Sequence, residues 1–372
     1  MVAYTEQSVA ALRQTVRRLL QGEDDVRTTV PGVDEAAFLA AAERHRLVVF
    51  LALRQEQLRL TPELAAAIQA AARGERIATL GMARALHQAT DALTAAGVRV
   101  LSFKGLALAA QAHGDFSARG SGDLDLLVPP SEIASARATL AQAGWAPDSS
   151  YPAPGPTWAW RHTVRNYYEI ALHRSGLSID LHWHLGLARS TAPSFDTLWA
   201  RRTTVAVGGR DVATLSVPDA WRHSAMHAAK DEWGSLRSLV DVRLLGDAVD
   251  PTEDATVGAA ALATLGVVRA QLGGEHGGLA PARAVKRAEA LQASAPDVST
   301  GRFPGHRTLL GARRLARGVS TTGDLRRLAA VTVAHPSDLG HVGAITTGGA
   351  VLAVARVRAA TARRRIREWR HT

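Results

Sequence analysis

The sequence predicts an α+β protein, with a mixed core over about residues 98–215 held between helical regions on either side. Three observations carry that expectation. Apolar residues recur at three- to four-residue spacing through residues 5–95 and again beyond 218. The helical period stops at Gly97, and short apolar runs bounded by Gly and Pro follow. Two β-prone runs then meet at Arg174-Ser-Gly176, a short turn that makes an antiparallel hairpin of them.

The elements follow in order. Helices are expected over 9–20, 36–51, 61–72 and 76–96. Thr61-Pro62-Glu63 opens the third as an N-cap with proline in the first turn. Residues 98–103 read as a strand, Lys104-Gly105 as a turn and 106–113 as a short helix. A strand over 124–128 ends at Pro129-Pro130, because proline cannot donate to a ladder. A helix over 131–143 stops at Gly144, and a Pro-rich loop fills 146–156. The hairpin strands lie at about 166–173 and 177–185, and a β-ribbon over 203–207 and 212–215 turns at Gly208-Gly209. Helices return at 218–231, 235–246 and 259–272. Residues 273–305 are weakly patterned, and a last helix covers 349–369.

Composition narrows the chemistry. The 372 residues contain no cysteine, which excludes disulfides, thiolate–zinc sites, iron–sulfur clusters and cysteine nucleophiles. The start lacks a basic segment followed by an apolar one, and no run of about 18 apolar residues occurs, so a cytoplasmic location is expected. The chain divides into a helical region at 1–96, an α/β core at 97–216, helices closing a cleft at 217–300 and an Arg-rich helical region at 301–372. The net charge of +10 sits in that last region, which has 14 Arg and no Lys against three acids. Two readings of it stay open, a footprint for nucleic acid and a solvated helical face.

The chemistry concentrates in Arg119-Gly-Ser-Gly-Asp-Leu-Asp-Leu-Leu-Val128. Residues i and i+2 of a strand share a face, so Asp123 and Asp125 project together from an otherwise apolar strand. Paired carboxylates repel unless a cation lies between them, and hard oxygen donors suit Mg²⁺ or Mn²⁺. Asp180, embedded in the β-prone run Leu177-Ser-Ile-Asp-Leu-His-Trp-His184, is the candidate third carboxylate. Together the three form a two-metal arrangement for phosphoryl transfer. His182 and His184 have the spacing of a metal pair but lack a third His or Cys nearby. His182 is read as a core histidine on the face of Asp180.

Three segments carry a resemblance: Ser102-Phe-Lys-Gly-Leu-Ala-Leu-Ala109, the Arg119 to Val128 block, and Ile179-Asp-Leu-His-Trp183. They resemble the uncharacterised nucleotidyltransferase family of the polymerase-β-like superfamily. His227, Lys230, Trp233, Leu236 and Asp241 are similar to its later helical pattern, as is His45-Arg46 earlier in the chain. The similarity spans about residues 35–250, with a weaker echo near Pro336. The resemblance implies a minimal polymerase-β-like nucleotidyltransferase core, a small mixed sheet with helices, flanked by helical regions.

It also implies an enzyme that binds a metal–NTP complex, with ATP the first expectation. Asp123, Asp125 and Asp180 match its metal ligands. The wider superfamily has Gly-Ser where this chain has Lys104-Gly105. Lys104 would place a point charge on the triphosphate, and Gly105 would let backbone approach it. Phe103 stands where the family more often has an aliphatic residue.

Other assignments follow from the motifs. Arg119 contacts triphosphate or acceptor, or else pairs with Asp115. Ser121 and Gly122 lie at the phosphates, with a plain turn serine as the other reading. His227 and Lys230 line the nucleotide cleft or cap the core with Trp233. The acceptor is open among RNA, a small molecule and a protein. A non-catalytic member that binds nucleotide or a partner is the alternative to an enzyme.

Overall fold

The computed structural model describes residues 4–27, 33–190, 192–246, 258–274, 282–294, 321–336 and 339–340. Helices α1 (Glu6–Leu20), α2 (Glu35–Arg44), α3 (Val48–Ala52) and α4 (Pro62–Ala95) form the N-terminal part, with a short parallel pair β1 (Val26–Arg27) and β2 (Leu58–Arg59). Two expectations change here. The helix expected over 36–51 is broken at His45-Arg46, where Arg46 takes a left-handed φ of 52°. The two helices expected over 61–96 are one helix of 34 residues, since Gly74 has no capping context to stop it.

The central sheet has five strands in the order β3-β4-β7-β6-β5: β3 (Leu101–Ser102), β4 (Leu124–Leu127), β7 (Leu177–His182), β6 (Glu169–Arg174) and β5 (Ala146–Pro147). Only β4 and β7 run parallel; the other neighbours are antiparallel. β5 falls where the Pro-rich loop was expected, on the sheet edge where proline is tolerated. Helix α5 (Gly105–His113) links β3 to β4. Helices α6 (Ile133–Gln142) and α7 (Trp158–Asn166) come between β4 and β6. α7 was not expected; Thr157 caps it by accepting from Trp160 N–H.

The period of two sorts the sheet. Leu124 and Leu126 of β4, with Ile179 and Leu181 of β7, pack into one core with Leu86 and Leu93 of α4 and Leu140 of α6. Asp125, Leu127, Asp180 and His182 therefore face the other side. There Leu127, Leu101 and Phe103 join a second core built with α9 (Val217–Lys230), α10 (Leu236–Gly246) and α11 (Ala259–Leu272). Val9, Phe38 and Phe50 of the N-terminal helices belong to that same core. The polar faces of β4 and β7 thus look toward the helical layer.

The β6–β7 turn uses Ser175 and Gly176, both at positive φ, as a two-residue hairpin requires. Helix α8 (Phe195–Ala200) leads into the ribbon β8 (Thr203–Val207) and β9 (Arg210–Thr214), which turns at Gly208-Gly209 as expected. Further helices are α12 (Ala282–Ala293), inside the stretch read as weakly patterned, and α13 (Thr322–Val333). The helix expected over 349–369 and most of the Arg-rich region lie outside the described residues. Among the described residues no helix is long and apolar enough to cross a membrane. The architecture is a mixed α+β fold with small mixed sheets.

Candidate active site

The β4–β7 register sets the centre of the site. Asp125 and Asp180 are directly paired across the two parallel strands, and Leu127 is paired with His182. Asp180 and His182, two apart on β7, share Asp125's side of the sheet. Asp125, Asp180 and His182 each place one donor atom so that all three atoms lie within 4.8 Å of one another. Asp125 Oδ1 accepts from Lys104 Nζ at 2.6 Å and lies 3.1 Å from His182 Nε2. The other ring nitrogen, Nδ1, is 3.4 Å from a Glu169 carboxylate oxygen, an ion-pair distance without hydrogen-bond alignment. Glu169 reaches it because β6 pairs Glu169 with His182.

Electrostatics separates the carboxylates. Burial pushes the Asp180 carboxyl well above its ordinary range, and the charges of Glu169, Asp125 and Asp123 push the same way. Asp123, one step before β4, is raised by burial and by Asp125. Asp125 is equally short of water, yet Lys104 and His182 hold it well below the usual carboxylate range. Lys104 stays charged despite burial because Asp125 and Glu169 face it. Crowded acids of this kind favour a cation beside Asp180. Two carboxylates and an imidazole fit a divalent ion that takes its remaining donors from a bound phosphate. Asp123 is not part of the close triple.

A cleft opens beside this centre. Lys104, Glu169 and His182 line its sheet side, and His223, His227 and Lys230 its helical side. Those three lie on one face of α9, at spacings of four and three. The helix starts where Ser216 caps Asp219 N–H with Pro218 in the first turn. Its opposite face, with Ala225, Ala228 and Ala229, is sealed in the core. Burial and nearby cations hold both His223 and His227 neutral, well below the ordinary histidine range. His227 Nδ1 is 3.3 Å from Asp231. Phe103 packs edge-on against His182 at 4.9 Å and His223 at 5.0 Å, so it joins the sheet side to the helical side.

The loop before β4 is held from several directions. Arg119 Nε donates to Asp241 on α10 at 2.7 Å, and His113 Nε2 lies 3.1 Å from the other oxygen of that carboxylate. Asp115 bonds Ser117 and Arg76 instead of Arg119. Ser121 Oγ donates to the Asp123 carbonyl at 3.1 Å. Gly105 has φ 47°, and a Cβ there would stand 2.8 Å from Ser121 Oγ. Gly122 is exposed, with the Arg46 guanidinium against it.

The structure brings Lys104, Asp125 and Asp180 together and places His227 and Lys230 across the cleft. Three neighbours were not singled out from the sequence: Glu169, His223, and His182 as a partner of Asp125 rather than of Asp180. The turn at Ser175-Gly176 was the available signal, because counting back from it pairs Glu169 with His182. His223 carried only the helical spacing to His227.

These features agree with the comparisons. The family described as uncharacterised nucleotidyltransferase matches residues 31–273, well over half of the chain. The protein belongs to the uncharacterised nucleotidyltransferase family. No curated protein and no solved structure matches the chain.

Proposed function

We propose that the protein is a metal-dependent enzyme that moves a nucleoside monophosphate from an NTP, ATP first among them, to an acceptor hydroxyl. The acceptor oxygen bonds to the α-phosphorus, the bridging bond to the β-phosphate breaks, and pyrophosphate and the hydroxyl proton leave. The observation that carries this reading is the pairing of buried Asp125 with half-buried Asp180 on adjacent strands, beside a cleft lined by cations.

Asp125, Asp180 and His182 would hold a divalent ion, with Asp123 adding a carboxylate at the strand's entrance. When bound, such an ion offsets phosphate charge and acidifies a hydroxyl. The chain's own groups do the rest. Lys104 supplies a cation for the triphosphate, at present neutralised by Asp125. Glu169 and His182 fix the orientation of Asp125. Gly105, Ser121 and Gly122 keep the loop low enough for phosphates to approach backbone. His227 and Lys230 contact the nucleotide or acceptor from α9.

The non-catalytic alternative has one observation in its favour, since the Lys104 ammonium pairs with Asp125 at 2.6 Å. One experiment separates the readings. Each α-labelled NTP is incubated with the protein, Mg²⁺ or Mn²⁺ and a cell extract. Label is expected in one acceptor class, and only with metal. Labelling that is absent, or that persists in Asp125→Asn, would remove the enzymatic reading. An RNA acceptor should lose affinity steeply with salt, whereas a small molecule should not.

A further inference from the structure

The Gly120–Gly122 loop that delivers Asp123 is gripped by two arginines from outside the sheet. Arg46 lies in the break between α2 and α3. Its guanidinium nitrogens would stand 3.2 and 3.3 Å from a Cβ on Gly122, so it rests against the bare loop. Arg237, at the start of α10, donates from a terminal nitrogen to the Gly120 carbonyl. Their two segments meet in one core, where Leu236 N–H donates to the His45 ring at 3.3 Å. Arg46 has a left-handed φ of 52° because it ends α2 in a Schellman cap, with its N–H on the Glu43 carbonyl and the Leu47 N–H on the Ala42 carbonyl.

Among the described residues neither arginine has a carboxylate within ion-pair distance, whereas Arg119 beside them is taken up by Asp241. Arg237 Nε is sealed from solvent without a hydrogen-bond partner. Glu75 faces both arginines. Its Oε2 stands 2.6 Å from where a Cβ on Gly120 would be, and burial raises it even with both arginines near. Asp241 and Asp123 also face Arg237, and neither makes a close ion pair with it.

Planar forked donors of this type suit phosphate oxygens, and they sit beside Asp123 at the mouth of the loop. The geometry points to Arg46 and Arg237 as a polyphosphate subsite, holding the outer phosphates of the NTP before transfer and the pyrophosphate after it. This rests on the nucleotidyl-transfer reading for its substrate. It adds that the helical layers, and not the sheet alone, bind the leaving group.

The test is calorimetric titration of the full chain with sodium tripolyphosphate, pyrophosphate and AMP in EDTA buffer, so that metal binding cannot contribute. Wild type is expected to bind tripolyphosphate and pyrophosphate. Arg46→Ala and Arg237→Ala should each weaken both by about tenfold or more while AMP binding stays unchanged. The exposed Arg59→Ala is the charge-matched control and should change little. Arg46 is itself exposed, so Arg46→Ala decides the matter if Arg237→Ala does not fold. Wild type that ignores tripolyphosphate, arginine variants that bind as wild type does, or an equal loss in Arg59→Ala would overturn the subsite. Polyphosphate binding that depends on the arginines, in a protein that transfers no label, would keep the subsite and discard the proposed reaction.

Discussion

Asp241 shows how a buried charge far from the reaction shapes the site. Burial alone would push its carboxyl up, yet Arg119 and His113 bring it down to about 2, from an ordinary 3.8. A carboxyl depressed in the fold contributes stability that is complete above about pH 4 and is lost as pH falls toward about 2. The contribution is on the order of 2 kcal/mol. Unfolding midpoints measured from pH 6 down to 2 should therefore drop for wild type below pH 4. Asp241→Asn should start less stable and show a flatter acid limb. A wild-type limb no steeper than that of the variant would contradict the assignment. The partnership was not legible in the sequence, because Arg119 and Asp241 are 122 residues apart and Asp115 was the nearer acid. Asp125 and Asp180 were legible, since apolar strands rarely carry carboxylates without a reason.

At the scale of elements, alternation and turn chemistry placed the site, and breakers misled. The Ser175-Gly176 hairpin sets the β6–β7 register, and the period of two then turns Asp180 and His182 to Asp125's side. The gap expected between helices ending at 72 and starting at 76 does not occur, while His45-Arg46 was expected to be helical and is a break. No glycine or asparagine marks Arg46 for a left-handed φ; the Schellman bonds that close α2, Arg46 N–H to Glu43 O and Leu47 N–H to Ala42 O, hold it there. Gly105 is different, because its role is steric. With φ 47°, and with Ser121 Oγ at 2.8 Å and the Asp123 carbonyl at 3.3 Å from a new Cβ, it has no room for alanine. Gly105→Ala should cost about 1–3 kcal/mol in urea unfolding. Adding Ser121→Ala should recover part of that loss, since the hydroxyl is the nearer of the two atoms. Stability unchanged from wild type would show that the turn relaxes freely.

Across the whole molecule, one core joins the N-terminal helices and helices α9 to α12 to the sheet face that carries the acids. That arrangement brings His45 to Leu236 and Phe103 to His223, contacts that a strand-by-strand reading does not contain. The sheet supplies Asp125, Asp180, His182 and Glu169, and α9 supplies the facing cleft. On the proposed function, these acids hold a metal–nucleotide complex. Calorimetric titration of ATP with and without Mg²⁺ or Mn²⁺, in wild type and in Asp123→Ala/Asp125→Ala, tests it most directly. Metal is expected to tighten wild-type ATP binding by about tenfold or more and to have no effect in the double variant. Wild-type affinity that is the same with and without metal would contradict it.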